Sequence, residues 1–386
     1  MHPTELKNQF LQIYGQNTEE IHLYFAPGRV NLIGEHTDYN NGYVLPCALS
    51  FGTYLAIRKT DEPYFEFHSS GFEFAARIPI QDKYVKTGRE WVNYPLGIIE
   101  MFRQKGDYTG GFQFYFSGNI PSAAGLSSSA SIEMATAYAL NDIYQWDYMI
   151  LDIIHLSRKA ENEFIGVSCG IMDQFAVGQG KKGHAIFLDC GTLDFQLVPV
   201  DMPGYRLVII NTNKKRGLGE SKYNERVGEC SKAVKYLSKE LEINSLGDLD
   251  LEKFNLYQNL ITDKTILKRA RHIVSENQRV LDAVKALRNN DFATFGQLMI
   301  NSHDSLRDDY EVTGFELDSL VEISLKQQGV LGARMTGAGF GGCSVAFVKN
   351  ENLDQFIAAV SSEYFDKTGL KAEFYLPEIG DGVKRV

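Results

Sequence analysis

SGNIPSAAGLSSSASIEMATAYAL, residues 117–140, is the stretch from which the rest of the chain can be organised. GFQFYFSG (111–118) places Phe112, Phe114 and Phe116 on one face, as a half-buried strand requires. It runs into a loop of small residues, and the loop runs into a helical pattern whose first turn holds Ser127, Ser128 and Ser129. A strand, loop and helix in this order aim free backbone N–H groups and the positive end of a helix dipole at one point, which makes an anion site. The competing explanation is plain N-capping by serine. No Gly-Lys-Ser/Thr occurs in the chain, so the loop is not of the Walker A type.

Upstream, IHLYFAP (21–27), YVLPCALSFGTYLAIRK (43–59) and FEFHSSGFEFAARI (65–78) carry β-branched and aromatic residues and read as strands. Downstream, helical segments are expected at about 129–145 and 149–165, and strands at HAIFLDC (184–190) and YRLVIIN (205–211). The chain then turns helical over 221–242, 265–290 and 315–329, where apolar residues recur at three- and four-residue spacing. It closes with a strand, a glycine loop, a strand and one more helix. Strands mixed with blocks of helices favour an α+β fold over a doubly wound sheet. The 386 residues suit two domains, divided near residue 200 into 1–200 and 201–386.

Three further segments could carry chemistry. In APGRVNLIGEHTDYNNGYVLP (26–46), Glu35, His36 and Asp38 set three hydrogen-bonding side chains within four positions, which suits a ligand with adjacent hydroxyls, or else a polar hairpin loop. Arg29 lies just upstream in an apolar setting, where a guanidinium needs a carboxylate or phosphate partner. In residues 150–178, Glu161 shares a helical face with Ile150, Ile154 and Ile165, and Asp173 is the one charge in GIMDQFAVG. A buried, unpaired carboxylate costs several kcal/mol, so both acids need an arginine, a metal or a substrate; a structural salt bridge would also satisfy either one. In GARMTGAGFGGCSVAFV (332–348), Gly337, Gly339 and Gly342 match G-x-G-x-x-G, but the loop leads into a strand and not into a Rossmann helix. What remains is a glycine loop between strands, where backbone can approach a ligand closely.

Composition narrows the classes. The chain holds 44% hydrophobic and 23% charged residues, as ordinary globular proteins do. Its 35 glycines exceed the roughly 27 expected at average usage, and five of them fall between Gly332 and Gly342. Five scattered cysteines form no close pair and read as reduced thiols in a cytosol. MHPTELKNQF has no signal-peptide pattern, and no apolar run reaches about 18 residues, so no membrane association is expected. A net charge of −10 gives no attraction to nucleic acid, and the basic run Lys214, Lys215, Arg216 reads as a solvated loop. A nucleotide can still bind through backbone N–H groups, a helix terminus, a cation and one arginine.

Taken together, PSAAGLSSSAS resembles the phosphate-binding loop of the GHMP kinases, and GARMTGAGFGG resembles their C-terminal glycine motif. GRVNLIGEHTDYNNGYVLP is similar to the galactokinase signature, and SENQRVL, SHDSLRDDYEVT and GDGV look like galactokinase segments. The resemblance implies a two-domain fold of mixed sheets covered by helices, with the active site in the cleft between the domains. It implies a cytoplasmic enzyme that phosphorylates the C1 hydroxyl of galactose with ATP and Mg²⁺, the first committed step of galactose catabolism. Small molecules are its partners, with no obligate protein partner. Asp173 would face the anomeric hydroxyl, with Arg29 beside it. Glu35, His36, Asp38, the backbone of Gly170 and Tyr223 would read the other hydroxyls. Gly125, Leu126, Ser127, Ser128 and Ser129 would cradle the triphosphate, with Gly337, Gly339, Gly341 and Gly342 forming the glycine loop. Ser129 and Glu161 would hold Mg²⁺, with Ser128 as the alternative to Ser129. A kinase of N-acetylgalactosamine or arabinose, or a non-catalytic galactose and ATP sensor, are the alternatives.

Overall fold

The computed structural model describes residues 2–72, 75–88, 90–104, 106, 110–121, 125–214 and 219–386. Residues 122–124 of the serine loop, and Lys215 and Arg216 of the basic run, lie outside the described residues. Lys214 is described, and its Nζ meets Glu316 Oε2 at 2.6 Å.

The first sheet is mixed. It comprises β1 (His22–Asn31), β3 (Pro46–Thr60), β4 (Tyr64–Ser69), β5 (Ala76–Pro79), β6 (Gly111–Gly118) and β13 (Lys384–Arg385) in the order β13-β1-β3-β6-β4-β5. Only β4 and β6 run parallel. Alternation along β6 does what the pattern predicts: Phe112, Phe114 and Phe116 are buried under the helices of one face, while Tyr115 faces Leu6 and Phe10 of α1 (Pro3–Tyr14) on the other. The helices over the first face are α2 (Asn93–Arg103), α3 (Ser128–Tyr144), α4 (Ile150–Lys159) and α5 (Met172–Gln179). A small sheet of β2 (Tyr43–Val44), β7 (His184–Asp189) and β8 (Phe195–Pro199) adjoins them.

The second large sheet is antiparallel, in the order β10-β11-β9-β12, from β9 (Tyr205–Asn211), β10 (Val330–Thr336), β11 (Cys343–Lys349) and β12 (Glu373–Tyr375). Along β9, Leu207 and Ile209 pack toward α8 (Lys264–Arg288) and α9 (Phe292–Ser305). Val208 and Ile210 pack instead toward α10 (Phe315–Lys326) and α11 (Leu353–Thr368). Two further helices, α6 (Gly219–Leu237) and α7 (Leu251–Tyr257), rest on α8.

The two halves share a core. Val30, Leu32, Ile33, Leu45 and Leu49 pack with Leu207, Ile209, Val280 and Phe347 in one continuous cluster. The C-terminal GDGV segment returns to the first half of the chain, where Gly380 N–H donates to Ala48 O of β3 (2.9 Å) and Val383 N–H to Val177 O of α5 (2.8 Å).

The helix expected over 149–165 changes character. After Lys159 the chain takes a wide π-type turn over Ala160–Ile165, which shifts the residues beyond it out of α-helical register. Glu161 is buried with Ile154, as expected, whereas Ile150 and Ile165, which were expected to share that face, are only half-buried. No helix or strand was expected for α1, α2, α5, α7, α9, β8, β12 or β13.

Candidate active site

Arg29 stands where β1 shifts register between Pro27 and Arg29. Its backbone N–H donates to Leu126 O (3.1 Å), and its Nη1 donates to Gly125 O (2.7 Å), so strand and serine loop are tied together. The same guanidinium grips Asp173 with two bonds, Nε to Oδ1 at 2.8 Å and Nη2 to Oδ2 at 3.1 Å. Asp173 lies in the first turn of α5, where the helix dipole favours an anion. Ser127 Oγ donates to Asp173 Oδ2 at 2.5 Å. That bond decides the capping question: Ser127, at φ 60°, makes no side-chain cap bond to α3, so its hydroxyl serves the carboxylate and not the helix. Asp173 thus takes three hydrogen bonds while its side chain remains 27% exposed.

Deeper in, Ser129 neighbours Glu161 and favours its ionised carboxylate, whereas Ser128 is exposed. Gln174 Nε2 bridges Glu161 Oε2 (2.6 Å) and Glu133 Oε2 (3.2 Å). Burial pushes the Glu161 carboxyl above the usual range, and the nearby charge of Asp173 adds to it. Burial does the same to Glu133, reinforced by Glu161, and Glu133 Oε1 has no hydrogen-bond partner. A cation beside Glu161 would relieve this crowding. The hydroxyl and carboxylate are hard oxygen donors of the kind Mg²⁺ takes, and Mg²⁺ is typically held by one or two carboxylates plus substrate phosphates. Among the described residues, no group of three or more His, Cys, Asp or Glu forms a metal cage. The Ser129–Glu161 pair therefore fits Mg²⁺ only as a shared site with phosphate oxygens.

The loop after β1 is held by both halves of the chain. Glu35 Oε1 accepts from Gly337 N–H (2.8 Å), Thr336 Oγ1 (3.1 Å) and Arg334 Nη1 (3.4 Å). Burial raises the Glu35 carboxyl, with Arg334 and Arg29 opposing the rise. His36, at φ 63°, has both ring nitrogens engaged, Nε2 with Ala338 O (3.2 Å) and Nδ1 with the Tyr39 hydroxyl (2.8 Å). A carbonyl can only accept, so Nε2 carries the proton and Nδ1 accepts from Tyr39, whose oxygen in turn lies 2.7 Å from the Tyr310 hydroxyl. Burial, then the neighbouring His272, lowers His36 to about 3, which keeps the ring neutral. His36 was expected to read sugar hydroxyls; its two nitrogens instead bond to protein.

Asp38 differs from both. It keeps an accessible edge, and burial followed by the charge of Asp173 pushes it up to about 7. Gly170 abuts it so closely that a Cβ there would overlap the Asp38 carboxylate. Tyr223 packs edge-on to Tyr39, with ring centroids 5.2 Å apart, and lies 5.6 Å from His36. Opposite the serine loop, Gly337, Gly339, Gly341 and Gly342 all have positive φ, between 79° and 113°, and a Cβ on Gly337 would lie 3.1 Å from Gly125 O. The glycine loop and the serine loop therefore meet backbone to backbone.

The residues singled out from sequence thus converge on one place. Sequence reading missed Arg334, Tyr39, Tyr310, Gln174 and Glu133. Arg334 stood inside the glycine motif and Tyr310 inside SHDSLRDDYEVT, so the motifs contained them without disclosing their contacts.

Comparison with known proteins shows the family. The galactokinase galactose-binding signature matches residues 8–59, and the GHMP kinase N-terminal and C-terminal domains match residues 93–181 and 283–367. A galactokinase of Fusobacterium nucleatum is 52% identical over 371 residues, covering 95% of each chain. A galactokinase of Clostridium acetobutylicum is 48% identical, covering 99% of this chain and 98% of the relative. The crystal structure of Lactococcus lactis galactokinase complexed with galactose superimposes with a TM-score of 0.96 at 44% identity, covering 99% of both chains. A mevalonate kinase shares the fold with a TM-score of 0.67 at 19% identity. With similarity of this degree over nearly its full length, the chain belongs to the galactokinase family of the GHMP kinases.

Proposed function

We propose that the chain transfers the γ-phosphoryl group of ATP to the C1 hydroxyl of galactose, giving galactose 1-phosphate and ADP. The observation that carries the reading is the Asp173 carboxylate, fixed by Arg29 and Ser127 beside the serine loop yet still open to the site. Family membership and the galactose complex of the Lactococcus lactis relative support the choice of sugar.

Phosphoryl transfer passes through a loose transition state, so catalysis rests on positioning and charge stabilisation. Asp173 orients the C1 hydroxyl, whose oxygen bonds to the γ-phosphorus as the bond to the β,γ-bridging oxygen breaks and ADP departs with the electron pair. A free carboxyl titrates near about 3.9, far below a sugar hydroxyl, so the proton passes to Asp173 late, as the P–O bond forms. Arg29 retains one uncommitted N–H on each terminal nitrogen after its bonds to Asp173 and Gly125, and these are the donors it has left for the developing charge. Backbone N–H groups from Gly125 to Ser129 and the N-terminus of α3 hold the phosphates. Ser129 and Glu161 would hold Mg²⁺, which when bound offsets charge on the phosphate oxygens. Asp38, Tyr223 and the Gly170 backbone recognise the remaining hydroxyls, with Glu35 and His36 shaping the pocket around them.

We also infer a division into two domains near residue 200, with the C-terminal GDGV segment crossing back to the first. The free cysteines, Cys47, Cys169, Cys190, Cys230 and Cys343, support a reducing cytoplasmic setting. No helix among the described residues is long and apolar enough to cross a membrane.

The test is to incubate the protein with ATP, Mg²⁺ and a panel of hexoses, hexosamines and pentoses, and to locate the phosphate by NMR. Galactose phosphorylated at C1 is expected. Product at C6, or no turnover of galactose, would overturn the reading.

A further inference from the structure

The mechanism above uses no residue of α8, although SENQRVL (275–281) stands out in the sequence. This helix holds the loop that carries Glu35, His36 and Asp38, and it holds it by the backbone. His272 and Glu276 lie four residues apart and so share a face. Glu276 Oε1 accepts from the N–H groups of Gly34 (3.0 Å) and Glu35 (3.3 Å), and His272 Nε2 lies 3.1 Å from Glu35 O. Asn277 Oδ1 takes the Tyr43 N–H (2.9 Å) at the other end of the loop. Both ends press tightly on the helix. At Gly34 (φ +97°) an added Cβ would lie 2.8 Å from Val280 Cγ2, and at Gly42 it would overlap Asn277 Oδ1.

Glu276 is itself fixed from behind. Ser302 Oγ donates to Oε1 (2.5 Å) and Arg279 Nε to Oε2 (2.6 Å), so each carboxylate oxygen is occupied. The side chain is fully buried. A fully satisfied buried network has one low-energy arrangement, and departures from it leave a buried charge or N–H unpaired.

We propose that Glu276 is a positioning residue for sugar recognition: it fixes the Gly34–Glu35 peptide, and through it the loop on which Asp38 meets the sugar and Glu35 and His36 shape the pocket. The proposal rests on the assignment of that loop to sugar binding. It places the determinant of sugar affinity partly in the second half of the chain, on a helix that supplies no residue to the phosphate-binding role assigned to the serine loop. Uniform stabilisation of the fold would affect both substrates alike; a loop clamp affects one.

Two variants and two readouts test it. In Glu276→Ala the KM for galactose should rise at least tenfold while the KM for ATP stays within twofold, and Glu276→Gln, which keeps an oxygen for the two loop N–H groups, should recover most of that loss. Amide exchange of the peptide spanning 30–45, measured without substrate, should quicken at least tenfold in Glu276→Ala, with β9 unchanged. Equal rises in both KM values, or unaltered exchange at Gly34 and Glu35, would overturn the proposal. Should Glu276→Ala fail to fold, Ser302→Ala removes one donor to the same oxygen, and a galactose KM raised severalfold with ATP unaffected is expected; an unchanged galactose KM would overturn it. Absence of galactose turnover in the unmodified protein would instead defeat the functional reading, and the exchange measurement would still judge the clamp.

Discussion

Arg29 grips Asp173 through two hydrogen bonds of 2.8 and 3.1 Å, whereas Arg334 meets Glu35 at a single 3.4 Å contact. The side chains of the first pair are 6% and 27% exposed; those of the second are 0% and 2%. Chemically the pairs are alike, and their surroundings make them different devices. Asp173 can still be reached by a substrate, so its charge is available to a reaction. Glu35 gives its Oε1 to Arg334, Thr336 and the Gly337 backbone, so its charge holds the glycine motif against the loop after β1. Substitutions in the open pair should therefore cost rate, and substitutions in the sealed pair should cost stability.

The largest effect is expected at the open pair. Asp173→Asn keeps the shape and one oxygen for Arg29 but removes the proton acceptor, and kcat should fall by about 10²- to 10⁴-fold. The urea midpoint should move little, because the side chain is partly solvated. Turnover within tenfold of the unmodified enzyme would break the assignment of Asp173 as the proton acceptor.

At the sealed pair, Glu35→Ala leaves Arg334 as a buried charge whose Nε and Nη2 already have no hydrogen-bond partner. Removing one partner of such a pair typically costs about 3–5 kcal/mol of unfolding free energy. Urea denaturation should read a loss of that order, and a loss under about 1 kcal/mol would show that the contact is not a strut.

The next expectation separates the sealed region from the open one by pH. Burial lowers His272 to about 4, with Glu276 opposing, so the folded protein keeps this ring neutral. The unfolded chain takes up a proton below about 6.5 and the folded one does not until about 4. Its contribution to stability is thus complete above about 6.5 and is lost as pH falls toward 4, at no more than about 1.4 kcal/mol per unit. His272→Gln lacks this titration. The stability gap between the two proteins should narrow as pH drops from 6.5 to 4, and a gap independent of pH would mean that His272 is not held neutral by the fold.

Legibility in the sequence followed the same division. Strands β6 and β9 were readable because alternation is a local property, and Phe112, Phe114 and Phe116 report it directly. Asp173 was readable as a lone charge in an apolar run, and the serine loop as small residues before a helix. The π-type turn over Ala160–Ile165 was not, since one extra residue in a turn leaves no composition signal. Nor was the sealing of Glu35 and His36: their partners Arg334 and Ala338 lie about 300 residues away, and only the folded chain brings β10 to the loop. The resemblance to a family supplied which residues gather, while the contacts distinguish those that face a ligand from those that hold the pocket.

The smallest effect probes the boundary between the two kinds of residue. Ser127 belongs to the serine loop by sequence, yet its hydroxyl is bonded to Asp173, and we propose that it serves this proposed proton acceptor and not the phosphates. Alanine would confound the test, because residue 127 sits at φ 60° and a Cβ there is already strained; glycine removes the hydroxyl and adopts that conformation freely. A hydrogen bond to a charged group contributes about 1.5–3 kcal/mol, but Arg29 continues to hold both Asp173 oxygens, so only part of that should be felt. Ser127→Gly is therefore expected to lower kcat by about 3- to 10-fold, with the KM for ATP within twofold. A rise in ATP KM with kcat unchanged would move Ser127 from the carboxylate to the phosphate side and redraw the line between them.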